Sequence, residues 1–234
     1  MRNLLQILVL LVSPVLLAQL PQSLLQTAKD VPLFDGYQGS IYKTLGYRDA
    51  SLIDEKSGSF DAPLRYNIYS DLIEHQKGNE QFAIVRNKTT HARIDGEYFY
   101  YCDFKNQRGS DVPGYFVLIE LHDDYRIYKK YSIDVKKPQQ RSTPSGTDTP
   151  GKLATKITYF LEENSVIMEL PLDKKGILGV LSDKETELKE YIKKEKIKVR
   201  KEEDLIRLVS RYNALKRSES GPSGSLLSSN GSRN

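Results

Sequence analysis

Apolar and polar positions alternate along the middle of this chain with the two-residue period of extended strands. From Tyr125 to Val135, Tyr125, Ile127, Lys129, Tyr131, Ile133 and Val135 fall on one side, with Arg126, Tyr128, Lys130, Ser132 and Asp134 on the other. That alternation predicts a strand with one wet face. The preceding run, Gly114 to Leu121 (GYFVLIEL), is almost continuously apolar and predicts a strand covered on both faces. His122-Asp123-Asp124 separates the two, so 114–135 reads as a β-hairpin. A second hairpin is predicted from Lys156 to Leu161 and Val166 to Leu170, joined by Glu162-Glu163-Asn164-Ser165. Earlier strands are expected at Leu64 to Tyr69, Phe82 to Val85 and Tyr98 to Phe104, punctuated by Gly78-Asn79 and Asp95-Gly96. Connections this short pair strands antiparallel, which predicts a meander of about six to nine strands.

After Leu172 the period lengthens to that of a helix. Ser182 and Glu185 have the spacing of a capping box for a helix over 183–196, with Leu188, Tyr191 and Ile192 on one stripe. A second helix over 201–216 places Leu205, Leu208, Val209, Tyr212 and Leu215 on one face. Glu185–Lys189, Glu190–Lys194 and Glu203–Arg207 are favourable i,i+4 pairs. The fold class expected is therefore α+β: an antiparallel β-meander body with two C-terminal α-helices. Residues 60–172 form the β domain and 173–217 the helical segment. Residues 19–59 are an N-terminal extension. Within the β domain, 137–152 has three prolines, two glycines and no apolar residue and is expected to be a mobile loop, a solvated spacer rather than a binding loop. Residues 218–234 are Ser/Gly-rich and expected to be a disordered tail.

The first 18 residues, MRNLLQILVLLVSPVLLA, change the picture by fixing a compartment. Arg2 supplies a positive start, Leu4 to Leu17 an apolar run, and Ala18 a small residue before Gln19, the order of a secretory signal peptide cleaved between Ala18 and Gln19. Leu16 is larger than that pattern favours, and the alternative is an uncleaved anchor. A spanning helix needs about 20 apolar residues, and this shorter run is interrupted by Gln6, Ser13 and Pro14. The expectation is a secreted protein, periplasmic or at the cell surface, with no transmembrane segment once the signal is removed.

Export sets the terms for the chemistry. The single Cys102 cannot form an internal disulfide, and a buried thiol is expected, the alternatives being a catalytic thiol or a dimer bridge. His75, His91 and His122 are the only histidines, and none shows metal-ligand spacing. Glu120, His122, Asp123 and Asp124 come nearest to a site, one for a divalent cation, yet alternation and a hairpin turn require polar residues there in any case. No nucleophile-elbow, nucleotide-loop or dinucleotide-loop sequence is present, so no catalytic residue, cofactor or metal is expected. The 15 tyrosines would suit stacking on sugars, but their place within strand patterns explains them as core.

The net charge of +4 is concentrated at one end. Residues 174–217 carry 14 Lys and Arg against 8 Asp and Glu. Most of these alternate in sign, the mark of a solvated helix face. Lys196, Lys198, Arg200 and Lys201 form a one-signed stretch and are the candidate partner-binding patch, suited to an anionic polymer or headgroup. Nucleic acid is excluded as a partner by the expected export.

Three stretches, PLRYNIYSDLIE (63–74), GYFVLIEL with its following hairpin, and IKVRKEEDLIRLVSRYN (197–213), resemble a family of uncharacterised exported proteins of Gram-negative bacteria. The resemblance implies a β-rich body, a C-terminal helical segment and a periplasmic or surface location. It implies no activity and no binding residue. The function expected is a non-catalytic binding or structural module that meets another envelope component, protein or anionic polymer. The alternatives are a hydrolase of cell-wall or glycan material, and a half-open sheet in which GYFVLIEL and VIMEL line a groove for an acyl chain.

Overall fold

The computed structural model describes residues 20–28, 31–32, 34–139 and 149–220. The chain divides after Met168 into two compact units. Among the described residues the first unit is built on a 12-stranded sheet, whose last strand crosses the boundary at Met168. In chain order its strands are β1 (Leu25–Thr27), β2 (Tyr37–Gln38), β3 (Arg48–Asp54) and β4 (Gly58–Asn67). There follow β5 (Leu72–Lys77), β6 (Glu80–Ile84), β7 (Thr90–Ile94) and β8 (Glu97–Asn106). The series ends with β9 (Asp111–Leu121), β10 (Arg126–Lys136), β11 (Gly151–Glu163) and β12 (Val166–Leu170). Both hairpins read from the sequence are present, as are strands at the three earlier positions. The strands of 25–54, and β5 and β7, were not legible in the pattern, and the 12 strands among the described residues exceed the six to nine expected.

The sheet order is β1-β6-β5-β4-β3-β7-β8-β12-β11-β10-β9, with β2 beside β11 and a further pairing of β8 with β9. Strand β8 thus meets both ends of the series β12-β11-β10-β9, and these five strands close into a ring. A ring of five strands cannot alternate direction throughout, so one pair must be parallel. That pair is β12 with β8, Val166 opposite Lys105 and Ile167 opposite Asn106. Strand β2 also runs parallel to β11. The purely antiparallel meander is corrected at these two places. Short connections reverse a strand against its sequence neighbour, but they do not govern strands that meet across a closed ring.

Tight turns carry the hairpins as the sequence implies. Asn164 and Ser165 both have positive φ, 52° and 65°, and form the two-residue connection between β11 and β12. Asp95 and Gly96, at 51° and 81°, do the same between β7 and β8. This is the twist-compatible geometry of a primed turn.

Strands β8 and β9 are covered on both faces. Phe99, Tyr115 and Val117 enter a large core with Leu52, Leu64, Tyr66, Ile73, Ile84, Ile94 and Tyr131. On the opposite face Phe104 and Phe116 join Tyr128 and Ile167 in a smaller cluster, with Phe160 packed against it. The ring centroids of Phe116 lie 5.0, 6.1 and 5.6 Å from those of Phe104, Tyr128 and Phe160. The wet face expected for β10 therefore holds only in part. Arg126, Ser132 and Asp134 are exposed, but Tyr128 is buried among these rings.

Among its described residues the second unit carries three helices, not two: α1 (Lys174–Val180), α2 (Glu185–Lys194) and α3 (Glu202–Ser220). Helix α1, with two glycines in seven residues, has little propensity to announce it. Asp173 starts it by accepting from the backbone N–H of Gly176 at 2.8 Å. The capping box is not formed. Ser182–Lys184 is a 3₁₀ turn, and the N-cap of α2 is Lys184, which makes no side-chain cap bond. The face assigned to α3 is buried at Leu205, Leu208, Val209 and Tyr212 and half-buried at Leu215. Helix α3 continues through 218–220, and the rest of the expected tail lies outside the described residues. So do the signal segment with Ala18 and Gln19, and residues 140–148 of the 137–152 loop. That loop is entered through a bridge between Gln139 and Thr149. No helix among the described residues is long and apolar enough to cross a membrane.

Candidate functional site

The basic stretch between α2 and α3 is a fixed loop. Helix α2 ends where Lys196 takes a left-handed conformation, φ 53°, and the N–H of Ile197 reaches back to the carbonyl of Ile192 at 3.1 Å. This is a Schellman-type stop with lysine where glycine is usual, and Ile192 and Ile197 supply its buried apolar pair. The sequence carried no glycine to mark that end. On the far side the N–H of Lys198 donates to Asp204 at 2.9 Å, and the N–H of Lys201 to the carbonyl of Lys198 at 2.8 Å. Ile197 and Val199 point inward and are buried. Lys196, Lys198, Arg200 and Lys201 are all exposed. The carboxylates of Glu195 and Asp204 pair with Arg207, at 3.5 and 3.2 Å. No carboxylate among the described residues pairs with any of the four patch side chains.

The other residues singled out from the sequence do not converge. His122 closes the β9–β10 turn, stacked on Tyr125 with centroids 4.8 Å apart and rings 8° from parallel, and its Nδ1 is buried without a partner among the described residues. Asp123 and Asp124 are exposed. No group of three or more His, Cys, Asp or Glu side chains among the described residues is placed to hold a metal ion. GYFVLIEL and VIMEL meet through Phe116 and Ile167 in the packed aromatic cluster rather than along a groove.

Cys102 is half-buried beside that cluster, and its thiol hydrogen bonds weakly to the carbonyl of Tyr100 at 3.7 Å. Burial first, and then the charge of Glu162, pushes the thiol pKa up to about 12. A thiol so held is a poor nucleophile, because the thiolate is the reactive form. Iodoacetamide at about pH 8 should therefore alkylate Cys102 in the folded protein at least about tenfold more slowly than free cysteine. A rate matching free cysteine, read by mass spectrometry, would mean an exposed and ionised thiol.

Several charged groups of the β unit satisfy one another. Arg65 stacks on the ring of Tyr42 at 3.5 Å and pairs with the buried Glu74 at 2.6 Å. Burial works to raise the pKa of Glu97, but hydrogen bonds from Lys129, Lys43 and Tyr131 outweigh it and hold the carboxyl below its ordinary range.

Sequence reasoning missed the turn between β4 and β5. Asp71 sits there at φ 54° with its carboxylate turned inward. It accepts from the Tyr66 hydroxyl at 2.6 Å, from the Tyr115 N–H at 3.2 Å and from Lys130 Nζ at 3.2 Å. Gly114 makes room, since a Cβ there would lie 2.0 Å from Lys130 Nζ and 2.3 Å from Asp71 Oδ2. Arg86 braces the same turn from outside, its Nη2 donating to the carbonyls of Ser70 at 3.0 Å and Asp71 at 2.9 Å. A cavity of about 500 Å³ opens beside it, bounded by Ser70, Leu72, Ala83, Val85 and Arg86. A lone glycine at the head of an apolar run was the only local sign of this close approach. Compared with known proteins, the chain matches no family model, no curated protein and no solved structure.

Proposed function

We propose that this protein is a secreted module of a bacterial envelope, periplasmic or at the surface, that binds without catalysis. Its partner is an anionic envelope component, met through Lys196, Lys198, Arg200 and Lys201. The observation that carries this reading is the loop itself. Two buried side chains, Ile197 and Val199, lock it from below, and four exposed cations stand on it with no carboxylate among the described residues to neutralise them. A cation on a fixed loop loses less entropy on binding than one on a free tail. The apolar start of the chain supports the compartment, and membership of the exported family it resembles would agree with it.

The test uses the full chain without its first 18 residues and vesicles rich in phosphatidylglycerol, with phosphatidylcholine vesicles as control. Binding should favour the anionic vesicles and weaken as salt rises, because salt screens exposed charges and the screening length is already only about 10 Å at 0.1 M. Replacing all four cations by glutamate should abolish it and flatten the salt dependence, whereas His122→Ala should change nothing. Equal binding by the wild type and the fourfold variant would sink the proposal.

A further inference from the structure

We infer that the cavity beside the β4–β5 turn binds a small organic carboxylate with a short apolar body. This site belongs to the β unit and its argument is independent of the basic loop. The cavity, about 500 Å³, lies within the range of small-ligand pockets. Its wall combines apolar side chains, among them Pro32, Leu72, Ala83 and Val85, with one charged residue among the described lining, Arg86. That residue is exposed and pairs with no carboxylate among the described residues.

The guanidinium is also held in place. Its Nη2 is committed to the carbonyls of Ser70 and Asp71, which fixes its plane and leaves Nε and Nη1 with no hydrogen-bond partner among the described residues. A fixed cation facing an apolar wall favours an anion that carries its own apolar surface. Asp71 cannot supply the missing negative charge. Its carboxylate is already engaged by Tyr66, Tyr115 and Lys130. The adjoining Ser70 hydroxyl is buried and has no hydrogen-bond partner among the described residues. Rotation of that side chain toward a ligand oxygen would satisfy it, so the same wall offers a second donor beside the guanidinium.

Octanoate and octanol, titrated into the protein and followed by amide shifts in heteronuclear NMR, test both halves of the inference. Octanoate should shift Leu72, Ala83 and Val85 with a Kd of about 1 mM or tighter, and octanol should bind at least about tenfold more weakly. Arg86→Gln should weaken octanoate about tenfold and leave octanol unchanged. Because Arg86 also braces the turn, Val85→Trp provides a second variant. It fills the cavity while leaving both guanidinium bonds in place, and should abolish the shifts from either probe. Equal affinity for the two probes would overturn the carboxylate assignment. Absence of shifts at these residues, or shifts that survive Val85→Trp, would overturn the site.

Discussion

Replacing Phe116 with alanine should destabilise the β unit by about 3–5 kcal/mol, the range for removing a buried aromatic ring. Phe116 is fully buried, and three aromatic rings surround it inside the closed ring of strands. They come from β8, β10 and β11, so the cavity left by the substitution would be walled by different strands that cannot all move inward together. Leu121, on the same strand but 64% exposed, is the control. Leu121→Ala should fall within about 0.5 kcal/mol of the parent, as surface substitutions do. Urea unfolding followed by circular dichroism measures both. Equal small losses would mean that the ring does not close around Phe116.

Leu205→Ala should cost the helical unit about 2–4 kcal/mol and Val209→Ala about 1–3 kcal/mol, while Glu203→Ala should cost only a few tenths. Leu205 and Val209 are fully buried, and Glu203 is exposed. The structure sharpens the comparison, because Arg207 pairs with Asp204 and Glu195 rather than with Glu203, its expected i,i+4 partner. Thermal unfolding of the three variants decides it. Three equal shifts in Tm would refute the buried face of α3. A large loss at Glu203 alone would place a buried ionic contact where an exposed side chain now stands.

The cavity beside Arg86 and the loop at Lys196 differ in how far the sequence announced them. The loop was legible because uncompensated lysines stand out against a helix face of alternating sign, and the alternation with Ile197 and Val199 makes one set point inward. The cavity was not. Its parts come from β1, from the turn after β4 and from the end of β6, and nothing local in those segments marks them as neighbours. The cluster at Asp71 is of the same kind. Tyr66, Asp71, Tyr115 and Lys130 are brought together by pairing across the sheet, and only Gly114 hinted that two segments approach closely there.

By itself the sequence determined the local elements: the two hairpins of 114–135 and 156–170, the buried stripe of α3 and the β-rich class with helices near the C-terminus. Those follow from period and turn chemistry, which act over a few residues and override little else when strongly patterned. Only the tertiary structure decided the closure of five strands into a ring, the parallel pairing that an odd ring demands and the burial of Tyr128 on a face expected to be wet. It also decided the third helix, whose glycines hide it from propensity but whose Ile177 and Leu178 are buried. The physical reason is the same in each case. Burial against distant partners yields more free energy than local preference costs, and the identity of those partners is a property of the folded chain as a whole.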